Sequence, residues 1–242
     1  MMKAVILAAG LGSRIRPLTN NCPKCLLCID GTSILERMLS HIQFCGINEV
    51  VFILGYYQEQ IKEVVESKFP KLKAHFVINA NYTKTNTGFS LMLAKDFIKN
   101  SGFIKFDADV IFERAILEKL IKCSDANCLC IDKKIQLDAE EIKVILNFQN
   151  QVLEASKEVE PRLAAGESIG IEKIDRSTAK RLFSELEAMM KDEKNHQAYY
   201  EAAYNKLIKK GDTFYAIDIS ELKWMEIDTK DDFIKAEKIF KK

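Results

Sequence analysis

A chain of 242 residues with 48% hydrophobic and 29% charged side chains has the make-up of a globular protein with a sizeable core, as one large domain or two small ones. Its 36 Lys and Arg against 35 Asp and Glu leave a formal charge of +1, which argues against a nucleic-acid or anionic-membrane surface as its main business. No apolar run reaches the roughly 18 residues a membrane span needs, and seven cysteines behind an N-terminus that reads as a buried strand point to free thiols and a cytoplasmic home.

Short apolar runs alternate with amphipathic stretches through the first half, the pattern of parallel strands joined by crossover helices. Strands are expected at 3–8, 49–54, 74–78, 102–106 and 127–131. Ser33-Ile34-Leu35-Glu36 is a capping-box start for a helix to about residue 44, closed by Gly46. Residues 58–69 read as a second helix, with Ile61, Val64, Val65 and Phe69 on one face and Pro70 as its stop; 89–98 and 113–121 read as a third and fourth. Farther on, strands are expected at 142–146, 152–156, 169–174, 213–217 and 222–227, and polar helices at 177–191 and 196–210. A last helix starts near Thr229 as its N-cap. No repeat, low-complexity segment or Pro/Gly-rich linker interrupts the chain. One domain over 1–242 is therefore expected, an α/β doubly wound sheet with a substrate-side subregion at about 130–212.

The loop after the first strand carries chemistry. Ala8-Ala9-Gly10-Leu11-Gly12-Ser13-Arg14 is followed by Pro17-Leu18-Thr19 and Pro23-Lys24. Two glycines two apart leave backbone N–H groups open to phosphate oxygens. Arg14 can grip phosphate with two N–H groups, and Lys24 adds a point-like charge. The loop also sits at the carboxyl end of a strand, where open α/β sheets place ligands. A Walker A loop has no match here, and a Rossmann G-x-G-x-x-G fails because Ile15 stands where its third glycine belongs.

These residues resemble the nucleotidyltransferases of the sugar-nucleotide pyrophosphorylase type, whose signature is roughly A-A-G-x-G-x-R followed by P-K. The resemblance implies the Rossmann-like mixed sheet of nucleotide-diphospho-sugar transferases. It also implies that Gly10, Gly12 and Arg14 hold the β- and γ-phosphates while Lys24 contacts the α-phosphate.

Acidic residues at strand ends suggest a metal. Asp107 and Asp109 point the same way if the fourth strand runs through them, about 6–7 Å apart, with repulsion on the order of 2–3 kcal/mol. Such a pair favours a cation, and magnesium held by one or two carboxylates together with substrate phosphates is the usual arrangement. Glu226 and Asp228 form a second acidic pair beside Thr229. In the resembled family one carboxylate after the fourth strand and one from a late strand share the metal; Asp109 aligns best, and Asp107 remains an alternative. Cys22, Cys25 and Cys28 form a C-x-x-C-x-x-C that resembles part of an iron–sulfur or zinc spacing, but no fourth thiol lies near and His41, His75 and His196 are scattered.

For the base, Asn79, Asn81, Asn86, Thr87 and Ser90 flank the region where similar enzymes read it, and small amides and hydroxyls suit a pyrimidine edge. Asn81-Tyr82, Gly55-Tyr56, 106–110, Gly166-Glu167-Ser168-Ile169-Gly170 and 226–229 resemble small-acceptor cytidylyltransferases, those for phosphoglutamine or phosphocholine. That resemblance implies a Mg²⁺-dependent transfer of CMP from CTP to a small phosphorylated acceptor, phosphoglutamine first and in capsular phosphoramidate synthesis, phosphocholine next. Glu167 is the candidate for an acceptor ammonium, and Tyr82, Tyr199, Tyr200 or Trp224 for its aromatic cover. A sugar-1-phosphate or inositol-1-phosphate nucleotidyltransferase is the rival enzyme, and a non-catalytic nucleotide-sensing module the rival outside enzymes. No nucleic-acid or membrane partner is expected.

Overall fold

The computed structural model describes residues 2–134, 136–137 and 139–241. Its first strand, β1 (Lys3–Ala8), sends Ala4, Ile6 and Ala8 to one face of a sheet and Val5 and Leu7 to the other. A hairpin of β2 (Cys28–Ile29) and β3 (Thr32–Ser33) follows, turned at Asp30 and Gly31 with φ of 51° and 74°. Then α1 (Ile34–Phe44) opens on the expected capping box: Ser33 Oγ accepts from the Glu36 N–H at 3.2 Å, and Glu36 Oε2 accepts from the Ser33 N–H at 3.1 Å. β4 (Glu49–Leu54), α2 (Gln58–Lys68) and β5 (Lys73–Ile78) complete the first half-sheet.

In place of one helix over 89–98 stand α3 (Thr87–Met92) and α4 (Lys95–Ile98). Leu93 and Ala94 join them through bonds to the carbonyls of Ser90 and Leu91, three residues back, which tighten the turn out of α-geometry. β6 (Phe103–Asp107), β7 (Val110–Phe112), α5 (Arg114–Lys122) and β8 (Cys128–Asp132) come next, then β9 (Lys143–Leu146), β10 (Val152–Ser156) and β11 (Gly166–Ile174). The chain ends with α6 (Arg176–Met190), α7 (Glu201–Lys209), β12 (Tyr215–Asp218), β13 (Trp224–Glu226) and α8 (Lys230–Ile239). The helix expected from 196 begins only at Glu201, because Ala198 is extended (ψ 142°) after a 3₁₀ turn over Glu193–Gln197. No helix among the described residues is long and apolar enough to cross a membrane.

The main sheet runs β10-β9-β11-β6-β1-β4-β5, with β8 beside β11 and β12 beside β8. β6, β1, β4 and β5 are mutually parallel, whereas β11 is antiparallel to β6, so the sheet is mixed and Rossmann-like. Leu35, Leu39, Ile61, Val65, Ile116 and Leu120 cover one face; Leu182, Leu186, Ala203 and Leu207 cover the other. A third cluster, Ile15, Leu27, Ile29, Ile34, Ile111, Ile227 and Ala236, gathers the loop after β1, the hairpin, β7 and α8 into one apolar plug. At about 1.5–3 kcal/mol for each fully buried aliphatic side chain, that plug is what ties the segments around the cleft together.

Candidate active site

The glycine loop leaves β1 at the carboxyl edge of the parallel strands. Ala8 and Ala9 are nearly buried, Gly10, Ser13 and Arg14 are exposed, and Leu11 and Gly12 lie between. Gly12 is left-handed (φ 59°, ψ 38°), and a Cβ there would lie 3.1 Å from Thr19 Cγ2 and 3.3 Å from Lys24 Cβ. Glycine therefore lets the loop close down on Thr19, whose hydroxyl donates to the Gly12 carbonyl at 2.7 Å, and on Lys24. From the start of the second crossover, Tyr56 Oη donates to the Thr19 and Asn20 carbonyls and Gln60 Nε2 to that of Asn21. These bonds fix the strip that leads to Lys24.

The strand does not continue through the first acidic pair. β6 stops at Asp107, a turn occupies Ala108 and Asp109, and β7 starts at Val110. The turn separates the two carboxylates, contrary to the shared orientation expected from a strand. β13 pairs antiparallel with β7, Glu226 opposite Val110, and the Ile227 N–H donates to the Asp109 carbonyl at 3.1 Å. That pairing brings ligand atoms of Asp109, Glu226 and Asp228 within 4.8 Å of one another. Lys24 Nζ binds Asp109 Oδ2 at 2.6 Å and Asp228 Oδ1 at 2.7 Å; Arg14 holds Asp228 Oδ2 at 2.5 Å and reaches Glu140 at 3.3 Å.

The charges settle one another. Burial opposes the ionised form of both Lys24 and Asp109, but their ion pair overcomes it, raising Lys24 and lowering Asp109. Glu226 keeps surface open to solvent, yet desolvation within the cleft and the charges of Asp109 and Asp228 push it up to about 9. Three carboxylates whose ligand atoms meet within 4.8 Å and offer only oxygen make a donor set suited to a hard divalent cation such as Mg²⁺. Cys22, Cys25 and Cys28 do not gather: among the described residues, the groups able to hold a metal are this acidic trio and Cys123, Asp125 and Cys128.

Asp107 belongs to a different cluster. Its carboxylate accepts from Lys105 Nζ at 2.7 Å and from Tyr200 Oη at 2.9 Å. Lys105 is wholly buried; it also pairs with Glu172 at 2.9 Å, donates to the Gly170 carbonyl at 3.1 Å and to Tyr200 Oη, and lies 3.8 Å from the centroid of the Tyr200 ring. Tyr200 thus covers a cation, though a lysine of its own chain rather than a substrate. Burial raises Asp107, Glu172 (to about 7) and Glu201 (to about 8) against the pull of Lys105. Sequence reasoning missed Lys105, Glu172 and Glu201, because a charged residue inside a strand or helix pattern gives no sign of partners far along the chain.

The remaining candidates fall around this frame. Asn79 is buried, and its amide donates to Thr85 and to Ser90 of α3 and accepts from the Asn81 N–H. These bonds tie the loop after β5 to α3. Asn86 caps α3 through the Thr87 N–H at 2.8 Å, and Thr87 Oγ1 accepts from the Tyr200 N–H at 3.4 Å. Tyr82 packs so closely on Gly55 that a Cβ there would lie 2.7 Å from its ring. Tyr199 is exposed, with Lys157 Nζ 5.2 Å from its ring centroid. Glu167 is buried in β11, in register with Asp132 and Lys143. The Trp224 indole donates to Asp132 at 2.8 Å.

The model of the nucleotidyl transferase family matches residues 3–136, more than half of the chain. A CMP-5'-(3-aminopropyl)phosphonate synthase of Streptomyces rubellomurinus is 28% identical over 240 residues, 96% of this chain but 37% of that protein. A CTP:phosphoglutamine cytidylyltransferase of Campylobacter jejuni is 32% identical over 137 residues, 54% of this chain and 53% of that one. A choline-phosphate cytidylyltransferase of Streptococcus pneumoniae is 28% identical over 243 residues, 99% of both chains. The solved CTP:phosphocholine cytidylyltransferase from Streptococcus pneumoniae superposes with a TM-score of 0.81 at 24% identity over 99% of each chain, which establishes the shared fold.

Proposed function

The chain belongs to the nucleotidyl transferase family, and on that premise we propose that it transfers CMP from CTP to a small phosphorylated acceptor and releases pyrophosphate. The observation that carries the reading is the Lys24 ammonium set between Asp109 and Asp228, beside the glycine loop and Arg14. Asp109, Glu226 and Asp228 would hold Mg²⁺, which when bound supplies neutralising charge to the phosphates.

The chain's own residues do the positioning. Backbone N–H groups of residues 10–13 cradle the β- and γ-phosphates, and the exposed Arg14 guanidinium grips the pyrophosphate portion with two donors. Lys24 meets the α-phosphate and offsets the charge that develops as the acceptor oxygen attacks in line. A phosphate or phosphonate acceptor is already anionic near neutral pH, so no general base is required. The histidines are placed accordingly: His41 bonds the Phe112 carbonyl, His75 bonds Glu49, and His196 bonds the Met190 carbonyl.

For the nucleotide, the names of all three relatives point to CTP or a CMP-linked product. Their acceptors or products pair a phosphate or phosphonate with a nitrogen group, and we extend that class to this chain. Phosphoglutamine, with a place in capsular phosphoramidate synthesis, is supported by the C. jejuni relative; phosphocholine is supported by alignment along the whole chain. Tyr82 and Tyr199 are the aromatic side chains we assign to the acceptor, with Glu167 for its nitrogen group, and Asn86 and Thr87 the polar groups we assign to the base.

The test is pyrophosphate release with Mg²⁺ and each of the four NTPs, against phosphocholine, phosphoglutamine, aminoethylphosphonate, inositol phosphate and hexose-1-phosphates. Release with CTP and one nitrogen-bearing acceptor is expected. Release only with UTP or dTTP and a hexose phosphate would overturn the substrate class, and silence across the panel from folded protein would overturn the activity.

A further inference from the structure

At the end of the sheet opposite Asp109, two thiols and a carboxylate meet. Cys123 terminates α5, Cys128 opens β8, and Asp125 lies in the short loop between them. Cys128 pairs in register with Lys173, and Lys173 with Ile104 near the start of β6, whereas Asp109 follows that strand's other end. Cys123 Sγ lies 3.4 Å from Cys128 Sγ and 3.3 Å from Asp125 Oδ2, and ligand atoms of all three fall within 4.8 Å of one another.

Those separations fit a metal. Zinc–sulfur bonds of about 2.3 Å and zinc–oxygen bonds of about 2.0 Å at tetrahedral angles set S···S near 3.8 Å and S···O near 3.5 Å. Movements of a few tenths of an ångström would bring the three atoms onto one ion. The backbone beneath them is fixed: Lys173 Nζ donates to the Cys123 carbonyl at 2.6 Å, and the Asn127 amide bonds Thr178, the Thr213 carbonyl and the Asp175 N–H. Access exists as well, since Cys123 lines an open surface cavity of about 480 Å³ together with Glu118, Lys119 and Lys122.

We propose that Cys123, Asp125 and Cys128 bind a zinc ion, with water in the fourth position facing the cavity. Two thiolates select a borderline-soft ion, in contrast to the all-oxygen trio at the active site. Each thiol gives its proton to solvent as its sulfur binds, and the ion clamps the end of α5 to the start of β8. The inference is independent of the catalytic reading.

Cobalt(II) alone is the probe, titrated into the full reduced chain. A thiolate-to-cobalt charge-transfer absorption should appear and saturate, because carboxylates cannot produce it, and zinc should abolish it. It should vanish in Cys123→Ser and Cys128→Ser, weaken at least about tenfold in apparent affinity in Asp125→Asn, and persist in Cys22→Ser and Asp109→Asn. Cys128 is buried, so its variant risks misfolding; Cys123→Ser and Asp125→Asn change half-exposed side chains and keep the test decisive. No such absorption, its survival in Cys123→Ser, or its loss in Cys22→Ser would overturn the proposal.

Discussion

Lys24 and Gly170 show how much one residue decides here. Lys24 is largely enclosed, and burial weakens its hold on its proton, yet two carboxylates at 2.6 and 2.7 Å more than offset that and keep it charged beside Gly12. Gly170 sits in β11 with φ 74°, and a Cβ there would lie 2.4 Å from Asp107 Oδ2. Gly170→Ala is expected to cost about 1–3 kcal/mol from the left-handed backbone alone, with a further cost from displacing the Asp107 carboxylate; a lowered urea midpoint checks it, and an unchanged midpoint would contradict the packing described. Short motifs singled out the glycine loop, Arg14, Lys24 and Asp228, with Asp109 and Asp107 as alternatives, and the structure brings Arg14, Lys24, Asp109 and Asp228 together. Asp107 is not among them: the period of two that assigned it to the metal holds only while the strand continues, and the turn at Ala108 ends it.

Strands and helices were legible to within a residue or two where hydrophobic period and caps agreed, as in β1, β4, α1 and β10. Strand direction was not, since a period of two is the same for parallel and antiparallel neighbours, and β11 runs opposite to β6. The buried charge cluster that joins β6, β11 and α7 was hidden for a related reason. Lys105 finds Gly170 and Tyr200 at separations of 65 and 95 residues, which no local pattern reports. Lys105→Met leaves buried carboxyl groups without their cation and should cost about 3–5 kcal/mol, read by chemical denaturation; a near-neutral effect would show that the cluster tolerates its loss.

The same cluster makes stability depend on pH with a definite sign. Glu172 and Glu201 are raised to about 7 and about 8 in the folded chain, whereas an unfolded glutamate titrates near 4.3. Between those values the folded state holds protons that the unfolded state has released. The stability they confer is therefore full below about pH 4 and is lost as pH rises through about 7–8, at on the order of 1 kcal/mol per pH unit for each group. Glu201→Gln should flatten the decline in urea midpoint between pH 5 and pH 8 and gain on the parent chain at pH 8. Parallel pH curves for the two proteins would mean that Glu201 titrates normally in the fold.

Across the whole molecule, the main sheet delivers the glycine loop from β1 and Asp109 from the turn after β6, and the separate β7–β13 ribbon brings Glu226 and the following Asp228 beside them, with the plug of Ile15, Leu27, Ile111 and Ile227 packed among these segments. The α/β class and the location of the site at the strand ends were legible from the alternation of elements. The gathering of the acidic trio was not, because it depends on β13 pairing with β7 rather than with the main sheet. The most direct test is Mg²⁺-dependent pyrophosphate release from CTP by Lys24→Ala beside the parent chain, with the acceptor that the panel identifies and circular dichroism to confirm folding. A fall of at least about a hundredfold in kcat/KM with the fold intact is expected if Lys24 offsets charge at the α-phosphate; near-normal turnover would contradict it.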